Sequence, residues 1–263
     1  MDLGLKGKAA LVAAASKGLG RASARGLAAE GARVAICARS GDELARTAEK
    51  IRGETGAEVL PIPTDVQDPE AVRALVARTV EAFGSVDILV TNAGGPPFGR
   101  FDQMTDADFQ AAFELNLLST VRMIREVLPH MRRRRWGRII NIQSTSIKQP
   151  INGLLLSNSI RPGVAGLTRS LVDEVSGDRI TVNTICPGRI MTDRARGFLE
   201  SRARVVGVPL EEFIRQDAAT IPMGRMGQPE EVASMVVFLA SECASYVTGV
   251  TVQVDGGLVR NLA

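Results

Sequence analysis

The stretch LVAAASKGLGRA, Leu11 to Ala22, decides the fold. Its first half is a short apolar run of strand length. Its second half places Gly18 and Gly20 in a turn that opens a helix. Glycines in such a turn let the backbone approach a pyrophosphate, and the uncompensated amides of a helix N-terminus favour its charge. Two glycines in a strand-to-helix turn are common, so the motif gains force only from what lies around it.

Outward from this turn, strand-length apolar runs recur: KAALVAA, ARVAICA, AEVLPI, VDILVTN, GRIINIQ, ITVNTIC and TVQVD. Each of the first six is followed by a longer helical or loop segment. This rhythm predicts βα units and an α/β fold, a Rossmann-type doubly wound parallel sheet covered on both faces. No repeat, low-complexity tract or linker interrupts it, so residues 1–263 read as a single domain. Local signals agree. Gly31 and Gly56 fall where helices should stop. Ser40 and Glu43 form an S-x-x-E capping box. Asp68 and Pro69 supply an N-cap and a first helical residue. The segment around 188–227 breaks the rhythm. It predicts a helical substrate-side insertion over the carboxyl edge of the sheet, where such folds bind ligands.

The chain has 263 residues, of which 45% are hydrophobic and 23% charged, with a formal net charge of +3. Such a chain folds around a substantial core, and its charge is too small to argue for nucleic acid. No apolar run is long enough to span a membrane. Cys37, Cys186 and Cys243 are few and widely spaced, so they read as reduced, buried thiols of a cytoplasmic protein. His130 is the only histidine, and no cluster has metal-ligand spacing, so no metal is expected.

The strand ARVAICA ends at Arg39. An acid there would hold a ribose 2′-hydroxyl, whereas an arginine accommodates a 2′-phosphate. Arg39, with Lys17 as a second cation, points to NADP(H).

The motifs in their order resemble those of the short-chain dehydrogenase/reductase family, and within it the 3-oxoacyl-[acyl-carrier-protein] reductase group. SKGLG, Ser16 to Gly20 with Leu19 between the glycines, resembles the second part of the family's glycine motif. TDV matches its adenine-contacting turn with Asp65 and Val66, and TNAGG its N-A-G motif with Asn92, Ala93 and Gly94. Asn116 in ELNLLST and Ser144 in NIQS fall on the active-site asparagine and serine. Pro187, Gly188, Ile190 and Thr192 match the loop that wraps the nicotinamide. The resemblance covers the whole chain and implies a homotetramer, a small-molecule or acyl-thioester substrate, and acyl carrier protein or coenzyme A as a partner.

The chain departs from the family in two places. Ala13 and Ala14 replace a threonine and the first glycine of the motif, which predicts a slightly altered turn because alanine resists positive φ. The second departure lies in LLLSNSIRPGVAGLTRSL, Leu154 to Leu171. Aligned on Ser144, Ser157 occupies the place of the catalytic tyrosine and Arg161 that of the lysine. Four residues apart, they share a helical face, and Pro162 should kink the helix beside them. Arg161 keeps a cation that could hold a ribose hydroxyl, though Arg and Lys are not interchangeable. Ser157 is shorter than tyrosine and a far weaker acid. Ordinary ketoreduction should therefore fall by the ~10²–10⁴-fold that a general acid contributes. Surrogates are few: Tyr246, expected to pack before the last strand, Lys148 on a loop, and His130, expected to be structural. Two readings follow: an NADP-dependent oxidoreductase acting on a carbonyl or alcohol through a retooled site, or a non-catalytic NADP(H)-binding or sensing protein. Finally, Arg132 to Arg135 form a solvated helix end or, on the sharper reading, a dock for an acidic carrier.

Overall fold

A computed structural model describes residues 2–261. The strands are β1 (Ala9–Ala13), β2 (Arg33–Ala38), β3 (Val59–Pro63), β4 (Ile88–Thr91), β5 (Gly137–Ile142), β6 (Ile180–Pro187) and β7 (Thr251–Val254). They form one seven-stranded sheet in the order β3-β2-β1-β4-β5-β6-β7, and every pairing is parallel. The order reverses between β1 and β4, which share an edge through Leu11 and Leu89. At that reversal the connections leave on opposite faces, and a crevice opens beyond the strand ends.

The strands fill both faces by period-two alternation. Ala10, Val12, Val34 and Ile36 point to one face, and Leu11, Ala13, Ala35 and Cys37 to the other. On the first lie α1 (Gly18–Ala29), α2 (Gly41–Thr55) and a helix near the C-terminus, residues Pro229–Ala240. On the second lie α3 (Pro69–Phe83) and a helix formed by Ser119–Arg134. This is the doubly wound architecture expected from the strand rhythm.

The helix signals were unequal. Asp68 caps α3 by accepting from the amides of Glu70 and Ala71, with Pro69 behind it. Gly56 ends α2 in the left-handed region, and Gly31 follows α1 at φ +80. The Ser40–Glu43 box is not made: Ser40 precedes α2 without a side-chain cap bond. Glu43 turns instead to Lys17 at 2.7 Å, because a full positive charge outcompetes one neutral amide. Two other expectations also fail. Tyr246 does not pack; it is 101% exposed. Cys243 is exposed, whereas Cys37 and Cys186 are buried.

The arginine run closes the helix at Ser119–Arg134. Arg133 donates to His130 at 2.7 Å, Arg134 pairs with Asp87 at 3.0 Å, and Arg135 donates to the Gly177 carbonyl at 3.0 Å. Arg132 lies 3.5 Å from Asp178. The run thus clasps its own helix end to its neighbours. Past β6, α6 (Asp193–Val206) and α7 (Leu210–Ala218) stand over the carboxyl edge. They are held there by a small core of Leu199, Ile221 and Met226.

Candidate active site

The sequence-marked residues gather at one edge of the sheet because each follows the end of a strand. Ala14 to Gly20 follow β1, Arg39 follows β2, Asp65 and Val66 follow β3, and Asn92 to Gly94 follow β4. Ser144 follows β5, and Gly188 to Thr192 follow β6.

The first turn is tight. Ala14 itself takes φ +49, so the turn keeps its left-handed geometry and alanine bears the strain that glycine would avoid. Gly20 is required by contact: a Cβ there would lie 2.3 Å from the Ala14 carbonyl oxygen. Lys17 precedes α1 without a side-chain cap bond, and the first turn of α1 carries no acid. Its leading amides are therefore open donors with the positive end of the helix dipole behind them. This cradle fits a dinucleotide pyrophosphate. Beside it, Arg39 is exposed and makes no ion pair among the described residues, whereas Lys17 is engaged by Glu43. The same contact holds the Glu43 carboxyl below its usual pKa. Asp65 accepts from the Gln67 amide at 3.0 Å, which shapes the turn after β3.

Across the crevice, Asn116 lies in a π-helical turn, Glu114–Leu118. Such bulges reposition one residue within a helix and are frequent at functional sites. Its Nδ2 donates to the Gly94 carbonyl at 2.8 Å, and its Oδ1 is buried without a partner. A buried orphan acceptor is suited to a donor from solvent or ligand.

The stretch Leu154 to Leu171 forms α4 (Leu155–Ile160) and α5 (Pro162–Val175). Arg161, between them, keeps helical angles of φ −64 and ψ −29, so Pro162 does not end the helical path. A polar ladder fixes α5 to the sheet. Thr168 on α5 bonds Asn141 of β5 at 3.0 Å and Thr184 of β6 at 2.8 Å, and Asn141 accepts from Thr91 of β4 at 2.7 Å. The Asn158 side chain bonds both the amide and the carbonyl of Ile151, fixing the loop beside the cleft.

Ser157 and Arg161 do share a face, and it is an inward one: they are 4% and 6% exposed. The Ser157 hydroxyl is bonded to that of Ser146 at 3.0 Å. Arg161 donates through Nη1 to Gln143 Oε1 at 2.9 Å. Burial, with the like charge of Arg194, lowers its pKa to about 10, so it stays cationic at neutral pH. Ser144 accepts from the Ser146 amide at 3.1 Å, which leaves its own hydroxyl hydrogen free. Lys148 is half-buried beyond Ser144. Sequence reasoning missed Gln143, Ser146 and Arg194. Gln143 and Ser146 flank Ser144, so a polar run after a buried strand was the available signal; Arg194 gave none.

Ser144 opens on a cleft of about 590 Å³ walled by Ile151, Leu154, Ile190, Thr192, Phe198 and Phe213 among others. Thr192 caps α6 by accepting from the Ala195 amide, and the β6 loop is anchored by the Gly188 amide on Val254.

A doubly wound sheet with a glycine turn at its switch point and an uncapped helix N-terminus behind it is the architecture of a dinucleotide-binding protein. Residues 13–259 match the family model described as enoyl-(acyl carrier protein) reductase. The chain is 40% identical over 251 residues to ketoacyl reductase 1 of the granaticin polyketide synthase of Streptomyces violaceoruber, covering 95% of this chain and 92% of that one. It is 36% identical over 257 residues to the 3-oxoacyl-[acyl-carrier-protein] reductase of Escherichia coli, covering 97% and 99%. The crystal structure of L-sorbose reductase from Gluconobacter frateurii, complexed with NADPH and L-sorbose, superposes with a TM-score of 0.96 at 35% identity, covering all of both chains. The chain belongs to the short-chain dehydrogenase/reductase family, and it is an NADP-dependent oxidoreductase acting on carbonyl or alcohol groups.

Proposed function

We propose that the chain reduces a carbonyl group with NADPH in a site that works without a phenolic acid. The observation that carries this reading is the pairing, at one sheet edge, of the uncapped α1 N-terminus with a cleft lined by Ser144, whose neighbour Gln143 accepts from the buried guanidinium of Arg161. NADPH, when bound, supplies the hydride.

The chain's own residues do the rest. The amides at Ser16, Gly18, Leu19 and Gly20 take the pyrophosphate. Arg39 takes the 2′-phosphate, and Lys17 joins it only by leaving Glu43. Asp65 and Val66 border the adenine. Asn92, Ala93 and Gly94 line the adjoining ribose edge, and Pro187, Gly188, Ile190 and Thr192 close over the nicotinamide. Arg161 holds the nicotinamide ribose. Ser144 directs its free hydroxyl hydrogen at the carbonyl oxygen and stabilises the charge that develops there. Asn116 holds a solvent molecule through its unpartnered Oδ1. Ser157 is one hydrogen bond removed, behind Ser146, so the final proton comes from water.

Under this reading, 3-oxoacyl thioesters, the substrate class named for the E. coli relative, are reduced slowly. The deficit is the ~10²–10⁴-fold of a missing general acid. The test is NADPH oxidation against a broad carbonyl panel, run beside a calorimetric NADPH titration. Absence of NADPH binding overturns the reading. Turnover of a 3-oxoacyl thioester at ~1–10³ per second overturns the deficit.

A further inference from the structure

The charge of the cleft narrows the substrate class. Arg189, Arg194, Arg202 and a single acid, Asp217, line it. Asp217 is already consumed: its carboxylate lies 2.5 Å from Arg189, which also donates to its carbonyl and to Thr220 at 2.9 Å. Arg194 and Arg202 have no carboxylate among the described residues. Arg194 donates to the Gly95 carbonyl at 3.0 Å, and Arg202 lies over the Phe198 ring at 5.9 Å.

The arrangement follows from helix periodicity. Residues 194, 198 and 202 are spaced by four, so they make one stripe on α6, and all three line the cleft. The neighbouring Arg196 is instead neutralised by Glu200 and Glu211. Phe198 in the stripe stacks on Phe98 with ring centroids 4.4 Å apart. The cleft therefore presents an aromatic wall between two uncompensated cations. A concave site of one sign concentrates ligands of the other.

We propose that the substrate is an oxo acid. Its carbonyl sits at Ser144, its apolar body lies along Phe98 and Phe198, and its carboxylate is held by Arg202. Arg202 is thus the specificity-determining residue, and Arg194 guards the inner end. Eight residues of helix separate the two arginines by about 12 Å, so several carbons lie between carbonyl and carboxylate. The inference rests on the carbonyl-reductase reading.

The test uses 5-oxohexanoate and 8-oxononanoate, each beside its methyl ester. NADPH oxidation gives KM, and calorimetry on the NADP⁺-saturated protein gives Kd without turnover. A charge-assisted contact of about 1.5–3 kcal/mol predicts that 8-oxononanoate binds roughly 10–100-fold more tightly than its ester. Arg202→Gln should collapse that ratio toward one, while Arg204→Gln, outside the cleft, should preserve it. Equal affinity for acid and ester, binding of neither acid, or a preference unmoved by Arg202→Gln overturns the proposal. Acid-selective binding without any turnover sustains the Arg202 carboxylate site and sinks the reductase reading instead. Turnover of both compounds without acid selectivity does the reverse.

Discussion

At the scale of single residues, the chain holds two kinds of local cost. Ala14 bears a left-handed φ of +49 at the mouth of the cofactor turn. An L-residue there costs about 1–2 kcal/mol, and glycine recovers most of it against a larger unfolded-state entropy. Ala14→Gly should therefore stabilise the fold by about 0.5–1 kcal/mol, raising Tm by roughly 1–3 °C. A lower Tm in a thermal melt would mean that the alanine methyl packs better than its strain costs. The buried thiols carry the second cost. Burial pushes Cys37 up to about 12 and Cys186 up to about 11, from an ordinary value of 9.0. Above pH 9 the unfolded chain ionises these thiols while the folded chain keeps its protons. The folded state then binds more protons, so stability falls as pH rises. Native protein at pH 8 should show one thiol reactive to a disulfide reagent, the exposed Cys243, and three after unfolding. Rapid modification of a second thiol in the folded state would show that the β2 or β6 strand end opens.

At the scale of elements, legibility depended on whether a signal had a competitor. Strands buried along their whole length, such as β1 and β6, had none, and the alternating rhythm exposed the sheet. The caps were legible only locally. Asp68 accepts from two amides and Ser40 from none, because sequence spacing does not show that Glu43 meets Lys17 from another helix. Asp68→Ala should cost about 1–2 kcal/mol and Ser40→Ala under 0.5. Denaturant melts giving equal losses would reject that ordering. The catalytic helix was legible in position and not in direction. Spacing placed Ser157 and Arg161 on one face; that this face is buried against Ser146 and Gln143 required the fold. Because Arg161 keeps helical angles despite Pro162, a side chain grafted at 157 starts from a helical backbone. The pair Ser157→Tyr with Arg161→Lys should raise reduction of a 3-oxoacyl thioester by up to ~10²–10⁴-fold. No gain in kcat, with NADPH affinity retained, would show that the bend misplaces the phenol, since errors near an ångström are expensive.

At the scale of the whole molecule, the cleft's charge was not readable, because it depends on which arginines lack partners, a property of the packed surface. The same holds for the outer edge of the sheet. β7 ends the sheet and none of its residues is fully buried. Near it, Phe238 is 39% exposed, on the helix at Pro229–Ala240, and Tyr246 is fully exposed. Large apolar and aromatic side chains beside a strand end are a liability for a free edge, and tyrosine and phenylalanine are favoured in interface cores. We propose that this edge is covered by a second copy of the chain, as the expected homotetramer requires. Light scattering at micromolar concentration should then give an assembly, and Phe238→Glu with Tyr246→Glu should dissociate it by burying charge without a partner. The dissociated protein should still bind NADPH through its pyrophosphate and 2′-phosphate, because α1 and Arg39 follow β1 and β2, which lie towards the opposite edge of the sheet from β7. A monomer in the unmodified protein would remove the assembly, and an intact assembly in the double variant would move its contact to another face.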